Sequence, residues 1–410
     1  MNQQVPNIIY LDNAATSWPK PAGVAQAVTD FITHIGANPG RAGHRLSTAA
    51  AELVYDTRAL LAEMFGAEDP LRVVFCKNVT EALNTILRGL LRPGDHVVTG
   101  SMEHNSVMRP LRALERQGVE LTVVPASPAG VFQPRHFEHA LRPNTRLIVL
   151  NHASNVVGTL APVREVGQIA REHGIWLVVD AAQTAGVYPI HMPADNIDIL
   201  CFTGHKGLLG PQGTGGFILG ERVPDDAIEP LMRGGTGSRS EEEHQPEFLP
   251  DRFESGTLNA AGIAGLKAGL EFLRGEGIQR VRAHEMALTR RLLDGLRAIA
   301  GVQVYGTGDP AQQVAVVSFN IAGMSPSEAA LALDEEFGIL CRVGLHCAPA
   351  AHRTIGTFPQ GTIRFSPGYF TTPQDIDRAL DAVEALAQRA QALIFQVANR
   401  ERSVYDDEDR

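Results

Sequence analysis

Between residues 71 and 219 the chain alternates short apolar runs with longer stretches whose apolar residues recur every three or four positions. RVVFC (72–76), HVVTG (96–100), LTVVP (121–125), RLIVL (146–150), IWLVV (175–179), IDILCF (197–202) and GGFIL (215–219) each read as a buried strand. After the first, NVTEALNTILRGLL puts Leu83, Ile86, Leu87, Leu90 and Leu91 on one helical face and stops at Pro93-Gly94-Asp95. Stretches such as PVREVGQIAREHG separate most of the others. Strand–helix alternation of this kind predicts an α/β fold: a large, mostly parallel sheet with helices on both faces.

Beyond Gly256 the rhythm changes. Two helices are expected near 261–273 and 278–299, then short strands near 314–320 and 362–365. A last helix starts at TPQDIDRALDAV, with Thr372 as N-cap and Pro373 as first helical residue. The expected organisation is a large domain over 16–260 and a smaller α/β domain built from 1–15 and 261–397. Residues 398–410 are expected to form a flexible acidic tail.

Composition narrows the functions open to such a fold. The chain has 410 residues, 44% of them hydrophobic, and 36 basic against 46 acidic side chains, for a net charge of −10. It has no basic stripe for nucleic-acid phosphates, and its acidic runs read as solvated faces. No transmembrane span or signal peptide is evident, and Cys76, Cys201, Cys341 and Cys347 show no paired spacing. Reduced thiols in a cytoplasmic protein follow as the expectation.

In open parallel sheets, ligands bind beyond the carboxyl ends of the strands. The residues following the apolar runs bring His104, Asn155, Asp180, Gln183, His205 and Lys206 to one edge. Lys206 lies in FTGHKGLLGPQGTGG, where six glycines let the backbone turn sharply. A lysine that shares a pocket with an aspartate points to pyridoxal phosphate (PLP): the amine forms a Schiff base, and the carboxylate keeps the pyridine nitrogen protonated. The phosphate needs N–H groups at a helix N-terminus, such as the one opened by Asn78-Val79-Thr80. Each signal also has a plain structural reading, with Asp180 or Thr80 as a helix cap and His104 as a polar loop residue.

DNAAT, the EH of SMEHNS, SNVVGT, VVDAAQ, FTGHKGLLGPQGTGG, RFESGT and RVGLHCA together resemble the class V aminotransferase family of fold-type I PLP enzymes. Within it the chain is most similar to the group II cysteine desulfurases and selenocysteine lyases, from about residue 10 to about 385. The resemblance implies that Lys206 is the Schiff-base lysine and Asp180 the partner of the pyridine nitrogen. It makes His104 the ring-stacking residue and Gln183 a contact of the phenolic oxygen, with Asn155 on that oxygen or the substrate. Thr80, Thr203 and His205 would bind the phosphate, and Thr257 the phosphate of a neighbouring subunit in a homodimer. Arg364 falls where the family holds the substrate carboxylate, although by itself it reads as a surface strand residue.

Cys347 would be the nucleophile that takes sulfur from L-cysteine as a persulfide, leaving L-alanine, with His346 as a source of thiol activation. Leu345 stands where group II members often carry histidine. A sulfur-acceptor protein is implied, and the pathway is left open among iron–sulfur assembly, thiolated cofactors and selenium supply. The same scaffold also hosts selenocysteine lyases, aminotransferases and epimerases, and a non-catalytic sulfur-transfer scaffold is the reading from another class. His346, Cys347 and His352 lack the second cluster a metal site would bring, so no metal is expected. Cys76, Cys201 and Cys341 are read as structural.

Overall fold

The computed structural model describes residues 8–408 except Arg41, with side chains up to residue 396. Its first strand, β1 (Ile9–Tyr10), and two helices, α1 (Ala22–Asp30) and α2 (Arg45–Phe65), precede the alternating region. That region forms seven strands: β2 (Val73–Cys76), β3 (His96–Gly100), β4 (Glu120–Val124), β5 (Thr145–Asn151), β6 (Trp176–Asp180), β7 (Ile199–Thr203) and β8 (Gly215–Leu219). They make one sheet in the order β2-β8-β7-β6-β5-β3-β4. The pairs β3–β4, β3–β5, β5–β6 and β6–β7 are parallel, and β8 alone runs against both its neighbours.

Successive strand residues face opposite sides of the sheet. Val98, Ile148, Leu177, Val179, Leu200 and Ile218 enter one hydrophobic core, while Val97, Leu147, Val149, Val178, Ile199 and Phe217 enter the other. Both faces are therefore covered, which is why these strands read as unbroken apolar runs. Helices α3 (Val79–Leu90), α4 (Asn105–Glu115), α5 (Pro134–His139) and α6 (Val163–Glu172) connect the strands. The N-cap of α3 is Asn78, whose side chain accepts from the Glu81 N–H. Thr80 therefore does not cap the helix; it sits exposed in the first turn.

The rest of the chain contributes α7 (Ala260–Glu276), α8 (Ile278–Ala298), β9 (Val302–Tyr305), β10 (Val317–Ile321), α9 (Pro326–Phe337), β11 (Ile339–Leu340), β12 (Arg342–Gly344), α10 (Pro349–Thr354), β13 (Thr362–Phe365) and α11 (Pro373–Glu408). A four-stranded antiparallel sheet, β12-β13-β10-β9, packs Val317, Phe319, Ile363 and Phe365 against Leu292 and Val383 in a separate core. β1 joins β11 in a parallel pair, so the start of the chain belongs to this second body. Thr372 caps α11 by accepting from the Asp375 N–H, as the sequence predicts. The tail expected over 398–410 lies outside the residues whose side chains are described.

The boundary expected at 260/261 falls at the start of α7. Yet Ile263, Leu266, Leu270 and Leu273 of α7, and Val281 of α8, are buried in the core of the large sheet. Leu288, further along α8, is in the second core. The apolar face of α7 thus packs into the helical layer over that sheet.

One buried ion pair fastens the segment around RFESGT. Glu254 pairs with Arg58 of α2, their side chains 7% and 5% exposed, and also accepts from the Phe75 N–H at 2.6 Å. Removing one partner of such a pair leaves a buried charge uncompensated. Glu254→Ala is therefore expected to lower unfolding free energy by about 3–5 kcal/mol in denaturant titration. The Arg58→Met/Glu254→Leu double variant should recover most of the loss.

Candidate functional site

The carboxyl ends of the parallel strands carry the predicted cluster. Asp180 ends β6, Thr203 ends β7, and His104 caps α4 just after β3, with Nδ1 accepting from the Ser106 N–H at 3.0 Å. The turn after β7 is possible only with small residues. A Cβ on Gly204 would stand 2.1 Å from Thr214 Oγ1, and one on Gly207 2.5 Å from the Ala185 carbonyl. These glycines let Lys206 leave the strand end and face a cavity shared with Gln183, Asn13 and Gly368.

Lys206 is half-buried, with its amine deep in the site. Burial lowers its pKa to about 8, opposed by Asp180 and Asp12 and aided by Arg364 and Arg342. Asp180 is buried, which raises its pKa, while the Ala182 N–H on Oδ1 (2.9 Å), the Lys206 charge and Ser106 pull it back. His104 is held at about 4, by burial first and then by Lys206, Arg342, Arg109 and Arg364. It therefore presents a neutral ring. His205 is likewise lowered to about 4, by burial, Lys206 and Lys20.

Four predicted residues carry buried polar atoms with no partner among the described residues: Asn155 Oδ1, Thr203 Oγ1, His205 Nδ1 and Arg364 Nε. Unsatisfied buried polar groups are costly and rare in folded proteins. Several gathered at one strand edge fit a polar, anionic occupant such as PLP with its phosphate. Gln183 donates to the Ala14 carbonyl at 3.1 Å and borders the Lys206 cavity. Thr80 and Thr257 are both exposed.

Arg364 departs from its sequence reading as a surface residue: it is 1% exposed. Nη2 donates to Asp12 Oδ1 at 2.7 Å and Nη1 to the Asn155 carbonyl at 2.9 Å, so ionic and backbone partners compensate the burial. The segment after β1 clamps the lysine loop too. Ser17 N, Thr16 Oγ1 and Lys20 Nζ donate to the His205 carbonyl at 3.0, 3.1 and 2.8 Å, and Ser17 Oγ donates to the Lys206 carbonyl at 2.8 Å. Asp12 and Thr16 lie in the DNAAT motif, yet residue type alone gave no sign of these roles.

Cys347 is exposed, and its Sγ lies 3.4 Å from Arg342 Nη2. Its carbonyl accepts from the Asn105 N–H (2.8 Å), and the His346 carbonyl accepts from Asn155 Nδ2 (2.6 Å). Those bonds hold two consecutive non-glycine residues at φ +46° and +58°, a conformation that needs such support. His346 is not the source of activation that its position suggests. It is buried, its pKa is lowered to about 2 by burial and nearby cations, and its Nε2 is engaged with Thr362 Oγ1. The cation beside the sulfur is Arg342. Burial raises the pKa values of the Cys76, Cys201 and Cys341 thiols, to about 12 for Cys341.

The low pKa of Lys206 has a measurable consequence. Its charge opposes folding below about pH 8, and that penalty fades as pH rises towards the ordinary lysine value of 10.5. In cofactor-free protein, Lys206→Met should therefore be more stable near neutral pH, by up to roughly 3 kcal/mol. The gain should shrink between pH 8 and 10.5, which denaturant titration across that range checks.

Comparison with known proteins agrees with this architecture. The family model described as aminotransferase class-V matches residues 9–379. A probable cysteine desulfurase of Methanothermobacter thermautotrophicus is 37% identical over 92% of this chain and 94% of its own length. One from Synechocystis is 32% identical over 94% and 93%. The apo structure of a cysteine desulfurase from Thermococcus onnurineus superposes with a TM-score of 0.87 at 33% identity, covering 93% of this chain and 95% of that one. A match across nearly the whole length, in sequence and in fold, places the chain in the aminotransferase class-V family.

Proposed function

We propose that the protein is a PLP-dependent cysteine desulfurase that converts L-cysteine to L-alanine and carries the sulfur away as a persulfide on Cys347. The observation that carries this reading is the placement of Cys347: an exposed thiol beside a guanidinium, held by backbone bonds to the strand-end loops that hold His104 and Asn155. The family relatives named as cysteine desulfurases support the same reading.

PLP, when bound, supplies an aldehyde that joins the substrate amine and a ring that accepts the electron pair of Cα. Lys206 and Asp180 would hold it, with His104 against its face and Gln183 and Asn155 at its phenolic oxygen. Thr80, Thr203 and His205 would take the phosphate, and the exposed Thr257 would reach that of a second copy in a homodimer. In this reading residues 16–260 hold the cofactor, while 1–15 and 261–397 bring Arg364 and Cys347 to it.

The protein's own groups then act in order. Arg364 binds the substrate carboxylate, for which a planar guanidinium fork is well shaped. Lys206 Nζ takes the Cα proton, a task suited to an amine whose burial brings its pKa to about 8. The Cys347 thiolate attacks the substrate sulfur, the carbon–sulfur bond breaks, and protonation of the remaining fragment yields alanine. Arg342 aims Sγ and offers positive charge to the sulfur. The exposed persulfide is open to a sulfur-acceptor protein, and the cytoplasm would keep the thiol reduced. Among the described residues no helix is long and apolar enough to cross a membrane.

Mass spectrometry after exposure to L-cysteine should show a gain of about 32 Da, one sulfur, on the Cys347 peptide. Cys347→Ala should abolish both this adduct and alanine release from L-cysteine; full retention of release would contradict the mechanism. Arg342→Gln should slow adduct formation about tenfold or more, the loss of one charge-assisted hydrogen bond.

A further inference from the structure

Arg364 is the more buried member of its ion pair: its side chain is 1% exposed, against 22% for Asp12. The guanidinium has five N–H donors. Nη2 serves Asp12, Nη1 serves the Asn155 carbonyl, and Nε, fully buried, has no partner among the described residues. The cation is therefore incompletely satisfied, and its anionic partner among the described residues is the half of the pair that solvent reaches.

A carboxylate in that position is chemically the same as the group Arg364 is proposed to bind. We propose that Asp12 is an internal stand-in for the substrate carboxylate: it neutralises Arg364 in the resting enzyme and is displaced when substrate arrives. The inference rests on the reading of Arg364 as the carboxylate site. Three features of the structure favour displacement over a static support. The anchor is Arg364, buried on β13, while Asp12 just past β1 has a fixed backbone, bridged to Ser366, and a side chain that solvent reaches and that can turn away without moving the chain. Asp12 uses only Oδ1 on the guanidinium, so an incoming carboxylate that engages two donors has the stronger geometry. Loss of any anion would leave a buried charge unpaired, so the exchange must be one carboxylate for another.

Two consequences follow. Ligands lacking a carboxylate cannot replace Asp12 and so meet a site whose guanidinium is already engaged. The apparent affinity for L-cysteine also includes the cost of moving Asp12, so neutralising that residue should tighten carboxylate binding.

The test uses the holoenzyme and Asp12→Asn and Asp12→Ser variants, purified in propionate to supply the missing anion. Both variants should show a KM for L-cysteine about tenfold lower, the scale of one hydrogen bond to a charged group. Propionate should inhibit the variants about tenfold more tightly and raise their Tm more than that of the wild type, a readout independent of turnover. An unchanged or higher KM, an equal Tm response, or failure of both variants to fold even in propionate overturns the stand-in role. Arg364→Gln separates the two layers. Loss of propionate inhibition there upholds the carboxylate site, whatever becomes of Asp12, while undiminished inhibition overturns that reading and the inference with it.

Discussion

A guanidinium sealed inside a protein must be compensated within bonding distance, and that requirement organises this molecule. Arg364 leaves β13 and finds its partners in Asp12, from the start of the chain, and in the Asn155 carbonyl, from the loops of the large sheet. Three segments remote in sequence are thereby drawn to one point. Asn155 in turn donates to the His346 carbonyl, and Asn105 to that of Cys347, so the thiol loop is held from the same side. The segment carrying Asp12 continues into Thr16, Ser17 and Lys20, which converge on the His205 carbonyl beside Lys206. A single buried cation thus links the lysine, the thiol and the second body.

The electrostatic character of the site follows from the same arrangement. Lys206, Arg342, Arg364 and Arg109 all bear on His104, and Lys20 joins Lys206 in bearing on His205. Each cation makes it harder to protonate an imidazole, and burial adds to the effect. The histidines are left as neutral faces and hydrogen-bonding groups, while positive charge stays on the lysines and arginines. Such a field favours a phosphate and a carboxylate, the two anions the proposed chemistry needs, and in that reading Asp180 would supply a local negative charge for a cationic ring nitrogen.

Much of the large sheet was legible because it is buried on both sides. HVVTG and GGFIL became β3 and β8 over the same residues, and TIRF became β13 as expected. The reversed direction of β8 was not legible, since an apolar run carries no sign of which way it points. Asp180, Thr203, His205 and Lys206 were placed by local pattern because each ends a strand or lies within three residues of a strand's end. Asp12, Arg342 and the burial of Arg364 were not. The Asp12–Arg364 pair spans 352 positions, and charged residues ordinarily belong at the surface. The packing of α7 was not legible for a similar reason: periodicity identifies it as a helix, but only the structure shows which core receives its apolar face.

Leu345 can then be understood through the geometry around Cys347. The imidazole that group II members often carry at that position is absent here, and the adjacent His346 turns to Thr362. What holds the sulfur is backbone: two left-handed residues, each tied by its carbonyl to a donor on the large body. Strain of this kind persists only where the surroundings over-determine it. With the position set by main-chain bonds and the nearby charge supplied by Arg342, the side chain before His346 is free to be apolar. Substituting leucine at that point removes a titratable neighbour without disturbing what aims the thiol.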